Sequence, residues 1–144
     1  MNAPTVDYRH VVKQAKKAEV REARRLVEDA LRRTPRMRTT RYACLLYARG
    51  LIAFREGNYE VAYVYHVRAR HMWSSGTDEK APRKSAENDL ALFYTLVAAG
   101  RRRFAWPVLK LILNEDEVPF GDQLISMVVF VVGKRAAKLC WRTL

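Results

Sequence analysis

Three histidines and two cysteines are the residues of this 144-residue chain best suited to metal binding or nucleophilic chemistry. His10, His66 and His71 never stand four residues apart, and His66 and His71 point about 140° away from each other on an ideal helix. Neither Cys44 nor Cys140 joins them at the spacing of a zinc site. We therefore interpret the histidines as structural and expect no metal site.

Other signatures of catalysis are missing from the sequence. It contains no P-loop, no dinucleotide-binding glycine pattern and no nucleophile elbow. The acidic run 115–117 falls in a turn-like segment without further ligands, which favours a solvated loop. These observations predict a protein that is not an enzyme and needs no cofactor.

The charge of the chain is strongly unbalanced. It has 27 Lys and Arg against 15 Asp and Glu, a net charge of +12, and residues 1–42 contribute +7 of this, from 12 basic and 5 acidic residues. Such an excess favours acidic partners, which could be nucleic acid, an anionic membrane or an acidic protein.

Cysteine content and apolar runs bear on the compartment. Cys44 and Cys140 both lie within apolar helical pattern, so buried thiols are favoured over a disulfide, which predicts a reducing intracellular compartment, cytoplasm or organelle interior. Met1–Arg21 has no apolar core, so we expect no secretory signal, and a mitochondrial presequence stays an alternative. The run 124–132 is too short to span a bilayer, so integral membrane insertion is not expected.

Hydrophobic periodicity predicts an all-α chain. Helices are expected over 6–18 and 20–34, on both sides of the break at Glu56-Gly57-Asn58, over 85–99 and 104–113 around Gly100, and finally over 122–141, with a loop at 74–84. The β-branched run 128–132 leaves a strand open as an alternative, although no other convincing strand exists to pair with it. The pattern predicts one domain, 1–144.

Residues 43–76 resemble the tetratricopeptide repeat (TPR), a helix–turn–helix of about 34 residues. Gly50 stands where the family has its first-helix glycine, Gly57-Asn58-Tyr59 is similar to the family's turn, and Ala62 and Ala69 match its two second-helix alanines. Leu46, Arg49, Ala53 and His66 depart from the family pattern. The resemblance extends loosely to 4–37 and 86–119.

The resemblance implies a short right-handed superhelix of three TPR-like hairpins, at 4–37, 43–76 and 86–119, with a C-terminal capping helix at 121–142. In the family, the first helix of each hairpin lines a concave protein-binding groove. This places Tyr8, Arg9, Lys16, Tyr47, Phe54, Arg55 and Tyr94 in the groove. The alternative is that these residues pack the stack.

Arginines form a second candidate site, for anions or nucleic acid. Arginine forks suit phosphate oxygens, and a row of them on one helix face would follow a nucleic-acid backbone. The candidates are Arg21, Arg25 and Arg32 on the second helix, Arg36 after it, and Arg101 and Arg102 before a later helix. A solvated outer face is the alternative.

The final helix is apolar on two sides. We expect one side to face the stack, with Leu124, Ile125, Val128, Val129, Val132, Ala136 and Leu139. The other side would carry Met127, Phe130, Val131 and Trp141. A helix that is apolar on both sides is buried on both sides, so these four residues are predicted to form a protein interface.

The sequence thus predicts a non-enzymatic adaptor or structural subunit that mediates protein–protein interaction within a larger, multi-subunit assembly. The alternative is a nucleic-acid-contacting peripheral protein of a ribosome-like or other ribonucleoprotein particle. A third reading is a membrane-associated adaptor whose C-terminal segment lies in the bilayer surface.

Overall fold

The computed structural model describes residues 6–35, 39–74 and 81–144, without the side chains of 39 and 81–84. Within these ranges the chain forms eight α-helices and no strand. They are α1 (Tyr8–Lys17), α2 (Val20–Arg33), α3 (Thr39–Arg55), α4 (Tyr59–Ser74), α5 (Ala81–Ala98), α6 (Arg102–Asn114), α7 (Phe120–Val132) and α8 (Lys134–Trp141). The all-α prediction is confirmed.

Two expectations about the elements are wrong, and the alternative of a strand over 128–132 is excluded. The run 128–132 is helical rather than extended, and the expected loop 74–84 gives way to α5 at Ala81, with 75–80 outside the described residues. The single final helix 122–141 is two helices. They separate at Gly133, whose φ of 105° and ψ of −150° lie in a region that is open essentially to glycine alone.

Two glycines end helices in the same way. Gly57 and Gly100 have φ of 76° and 78°, as a left-handed residue after a helix requires. The N–H of Gly57 donates to the Phe54 carbonyl at 2.9 Å, and the next N–H donates to the Ala53 carbonyl at 2.8 Å. Gly100 repeats both bonds at 3.0 and 2.9 Å. The predicted turn at Gly57 and its counterpart at Gly100 are confirmed.

Helices α3 and α5 are the centre of the fold. Every residue from Tyr42 to Phe54 is buried, and so is every residue from Asn88 to Ala98. Helix α3 packs against α1, α2, α4 and α5, whereas α5 packs against α4, α6, α7 and α8 as well. A helix that is apolar on all sides must be enclosed by its neighbours, which is why these two segments lie inside.

A buried polar pair joins α4 to α5 beside a glycine of α3. The Asn88 side-chain nitrogen donates to the His66 carbonyl at 2.9 Å, so the Asn88 Oδ1, 2.9 Å from His66 Nδ1, accepts from the ring. The imidazole lies so close to Gly50 that a Cβ there would be 2.6 Å from His66 Cε1. His66 is therefore a fully buried part of the core.

Candidate interaction surfaces

The aromatic residues predicted for the groove lie inside the protein. Tyr47, Phe54 and Tyr94 are all buried. The ring of Tyr47 packs between those of His66 and Trp73, with centroids 5.7 and 6.3 Å away, and burial raises the pKa of Tyr94 to about 12. The three rings therefore belong to the core, although Tyr47 also borders an open cavity beside α1.

Arg55 binds the C-terminal end of α1 rather than facing a partner. Its guanidinium donates to the Ala15 carbonyl at 2.9 Å and to the Ala18 carbonyl, so it satisfies the C-terminal end of α1. The neighbouring Phe54 ring stacks on Trp141 of α8, with centroids 4.5 Å apart and planes 7° apart. The chain's own last helix thus covers the end of α3 that was predicted to meet a partner.

The remaining groove candidates lie at an open cavity beside α1. Tyr8, Arg9, Lys16 and Tyr47 line this cavity of about 410 Å³ together with Glu87 and Leu144. The Tyr8 hydroxyl is 3.1 Å from Thr34 Oγ1, and the Lys16 ammonium lies 6.0 Å from the Tyr47 ring centroid. Phe54 and Arg55 line a neighbouring cavity of about 460 Å³, which Leu144 also borders. Lys16 and Leu144 therefore border both cavities.

The arginine candidates separate into two groups. Arg21, Arg25 and Arg32 are exposed on α2, as expected, although Arg32 lies 3.7 Å from Asp29. Arg36 lies outside the described residues. Arg101 is 2.7 Å from the carboxylate of Glu60. Both the arginines on α2 and Arg101 are exposed to an outside anion, although Arg32 and Arg101 each already face a carboxylate.

Arg102 bonds the C-terminal end of α7. Its Nε donates to the Phe130 carbonyl at 2.9 Å, and a terminal nitrogen donates to the Val131 carbonyl at 3.3 Å. Its guanidinium also lies 5.0 Å from the Phe130 ring centroid. Two of the last carbonyls of α7 gain partners in this way, so the role of Arg102 is to terminate a helix rather than to present a free charge.

Helix α7 packs through a different side from the one expected, although Val129, one of the residues expected to face inward, is buried. Its buried residues are Ser126 and Val129, and the Ser126 hydroxyl donates to the Asp122 carbonyl at 2.8 Å. The residues expected to face the stack are largely exposed, namely Leu124, Ile125, Val128, Val132 and Leu139. Of the expected outer side, Met127 and Val131 are exposed, Phe130 is half-buried, and Trp141 is buried. The expected outward position of Trp141 is wrong.

The break at Gly133 explains this difference. A single helix would carry the buried side of α7 on into residues 134–141 at constant register. The turn at Gly133 instead gives α8 its own direction, so that Ala137 and Trp141 become its buried residues. Helix α7 then needs to bury only one narrow side, and the small Ser126 lets that side approach its neighbours.

An apolar stripe runs the length of α7 on its outer side. Its residues are Phe120, Leu124, Met127, Val128 and Val131, with exposed fractions of 72, 42, 40, 58 and 72%. We call these five residues the α7 face. Their spacing places them on one side of a helix. Beside the stripe, the half-exposed ring of Trp106 on α6 lies 5.5 Å from that of Phe130.

Sequence reasoning missed part of this surface. Phe120 lies before the predicted start of the last helix, while Leu124 and Val128 were assigned to the core. Positions 120, 124, 128 and 131 are apolar and recur at helical spacing, which indicates one side of a helix but does not say whether that side packs or is exposed. The side that packs here contains the polar Ser126 beside Val129, so hydrophobicity alone would have chosen the wrong side.

Searches for known chemistry and known relatives add three findings. Among the described residues, no group of three His, Cys, Asp or Glu side chains could hold a metal ion. No described helix is long and apolar enough to cross a membrane. No protein-family model, curated protein or solved structure matches the chain.

Proposed function

We propose that this chain is a non-enzymatic, TPR-like adaptor or structural subunit that binds a protein chain through its α7 face. The observation that carries the proposal is the exposed stripe itself. Contiguous apolar surface on a soluble domain marks interaction sites, and single scattered apolar residues do not. Here five such residues line one helix, and the large rings of Phe130 and Trp106 flank them.

The order of helix contacts supports the TPR-like part of the proposal. Helices α1 and α2, α3 and α4, and α5 and α6 pack as consecutive pairs. The first helix of each pair also contacts the first helix of the next: α1 packs on α3, α3 on α5, and α5 on α7. Nearest-neighbour stacking of this kind is how helical repeats build a continuous core.

The position of α8 supports binding at α7 rather than in a groove. Helix α8 packs against α5, and Trp141 covers Phe54. The inner aromatic residues therefore already have a partner within the chain. Among the described helices, α7 carries the largest group of exposed large apolar side chains, and they lie on its outer side.

A paired substitution tests the proposal. Leu124→Glu with Val128→Glu places two charges at the centre of the α7 face, and Val64→Glu on α4 is the control because Val64 is also about half exposed. We expect a tagged wild-type chain and the control to capture the same proteins from nuclease-treated native extract, and the double variant to lose them. Circular dichroism should show equal helicity in all three. Unchanged capture by the double variant would exclude the α7 face.

A second candidate function is contact with RNA at the periphery of a ribonucleoprotein particle. The exposed Arg21 and Arg25 on α2 favour it. Binding of a mixed-sequence RNA, measured by fluorescence anisotropy across a salt series, tests it. If both arginines contact phosphates, Arg21→Glu with Arg25→Glu should reduce the slope of log K against log salt by about 2. An equal slope for the wild type and the variant would remove this candidate.

A further inference from the structure

The pair α6–α7 carries opposite charges at its two ends. Glu115, Asp116 and Glu117 lie in the connection between the two helices. Arg102 and Arg103 begin α6, and Lys134 and Arg135 begin α8 directly after α7. The basic groups share one end, because Arg102 bonds the last carbonyls of α7 and the Lys134 side chain lies against Gly100 just before α6.

These charges are placed symmetrically about the α7 face. Asp116 lies four residues before Phe120, where the stripe begins, and Arg135 lies four residues after Val131, where it ends. Helix α7 has 13 residues and is therefore about 20 Å long. An apolar stripe of this length, acidic at one end and basic at the other, is complementary to its own copy turned end to end.

We propose that the α7 face binds the α7 face of a second copy of this chain, with the two α7 helices antiparallel. The proposal rests on the proposed function, since it names the partner for the same surface. A two-fold contact uses the same patch on both subunits, so the patch must complement itself. The antiparallel arrangement sets the acidic end of each copy against the basic end of the other, whereas a parallel one sets like charges together.

The charge pattern fits a second copy better than a lipid surface. An anionic membrane attracts basic residues but repels the carboxylates at the other end of the stripe. Each copy carries a net charge of +12, so two copies repel at low ionic strength. At physiological ionic strength this repulsion is screened beyond about 8 Å, and the apolar contact and the end-to-end charge pairs remain.

Charge exchange at the two ends tests the arrangement. One variant, Asp116→Lys with Glu117→Lys, has two basic ends. The other, Arg103→Glu with Arg135→Glu, has two acidic ends, and all four side chains are exposed. Sedimentation velocity over a concentration series should show that the wild type forms a dimer. Each variant alone should self-associate at least about tenfold more weakly, and a mixture of the two variants should form a heterodimer again.

Two further variants separate the apolar stripe from general surface effects. Val128→Glu should abolish the dimer, whereas Val64→Glu should leave it intact. A wild type that is monomeric at every concentration would overturn the proposal, and so would a mixture of the two charge variants that associates no better than either alone. Binding of phosphatidylserine vesicles by a monomeric wild type, lost in Val128→Glu, would overturn it in favour of lipid.

The outcomes also distinguish this inference from the proposed function. A monomeric wild type that captures another protein, with capture lost in Leu124→Glu/Val128→Glu, would overturn the dimer while the α7 face remained a protein-binding surface. Capture that persists in this double variant would overturn the proposed function itself.

Discussion

Two buried titratable groups, His66 and Asp89, should give the stability of this fold opposite dependences on pH. Burial lowers the pKa of His66 from 6.5 to about 4, and only the bond to Asn88 raises it. Burial raises the pKa of Asp89 from 3.8 to about 6, although Arg70, with Nε 3.3 Å from the carboxylate, lowers it. Neither group is accessible to water in the folded chain, so each disfavours its charged form.

The signs follow from which state binds the proton. Between pH 6.5 and 4 the unfolded chain protonates His66 and the folded chain does not, so stability present above pH 6.5 is lost as the pH falls towards 4. Between pH 6 and 3.8 the folded chain protonates Asp89 and the unfolded chain does not, so stability present below pH 3.8 is lost as the pH rises through 6. Each shift corresponds to about 3 kcal/mol.

The two contributions therefore nearly cancel between pH 4 and 6. Asp89→Asn removes the contribution of Asp89 to the pH dependence of stability and leaves that of His66. We expect the free energy of unfolding of this variant, relative to wild type, to fall by about 2 kcal/mol between pH 6.5 and 4, because this window covers most but not all of the shift in the pKa of Asp89. All other titrating groups are common to both proteins, so the difference isolates Asp89.

Urea denaturation followed by circular dichroism across this pH range measures the effect. Asp116→Asn is the matched control, since it makes the same chemical change at an exposed carboxylate outside the core. A difference between Asp89→Asn and wild type that stays constant from pH 6.5 to 4 would refute the reasoning. It would mean that Asp89 is solvated or that Arg70 fully offsets its burial.

Three further predictions concern the packing. Gly50→Ala should lower the free energy of unfolding by about 1–3 kcal/mol, because the added Cβ would lie 2.6 Å from the His66 ring. In a double-mutant cycle, His66→Ala in the same chain should relieve part of this cost. Trp141→Ala should lower the free energy of unfolding, measured by urea denaturation, by about 3–5 kcal/mol. Leu139→Ala, at an exposed position, should change it by about 0.5 kcal/mol or less. Gly133→Ala should cost about 1–3 kcal/mol by the same assay, because φ there is 105°.

The parts of the fold that sequence predicted well are those that local interactions decide. The turns at Gly57 and Gly100 need a residue at positive φ and two short-range hydrogen bonds, all supplied within six residues. The caps of α1 and α2 are equally local, since the Asp7 and Glu19 carboxylates accept from N–H groups of the first turn, but neither cap was predicted. Hydrophobic periodicity between such local signals was enough to predict an all-α chain.

The orientation of α7 could not be predicted in the same way. Both of its sides are apolar, so periodicity alone does not say which side packs. Which side of α7 packs depends on the break at Gly133 and on Arg102, whose guanidinium donates to carbonyls 28 and 29 residues further along the chain. Contacts between residues this far apart are absent from any local pattern.

The predicted groove differed from the structure for a related reason. The family resemblance placed Phe54 and Arg55 on the inner side of the first helices, and this placement assumed that the inner side is open. In the structure, Arg55 reaches back to the carbonyls of α1, and Trp141, 87 residues beyond Phe54, stacks on its ring. No spacing within a hairpin reports that another part of the chain will cover it.

The C-terminal helices connect these two differences. Helix α8 can reach Phe54 only because Gly133 turns the chain after α7, and the same turn releases Leu124 and Val128 from the core register of a continuous helix. The turn at Gly133 therefore both lets Trp141 cover Phe54 and leaves the outer side of α7 exposed. If the chain binds a partner through α7, Gly133→Ala should weaken that binding together with the Phe54–Trp141 contact, whereas Leu124→Glu/Val128→Glu should weaken binding alone. Tryptophan fluorescence, recorded beside the binding assay and compared with that of Trp141→Phe to separate Trp141 from Trp73 and Trp106, would show whether the two effects are linked.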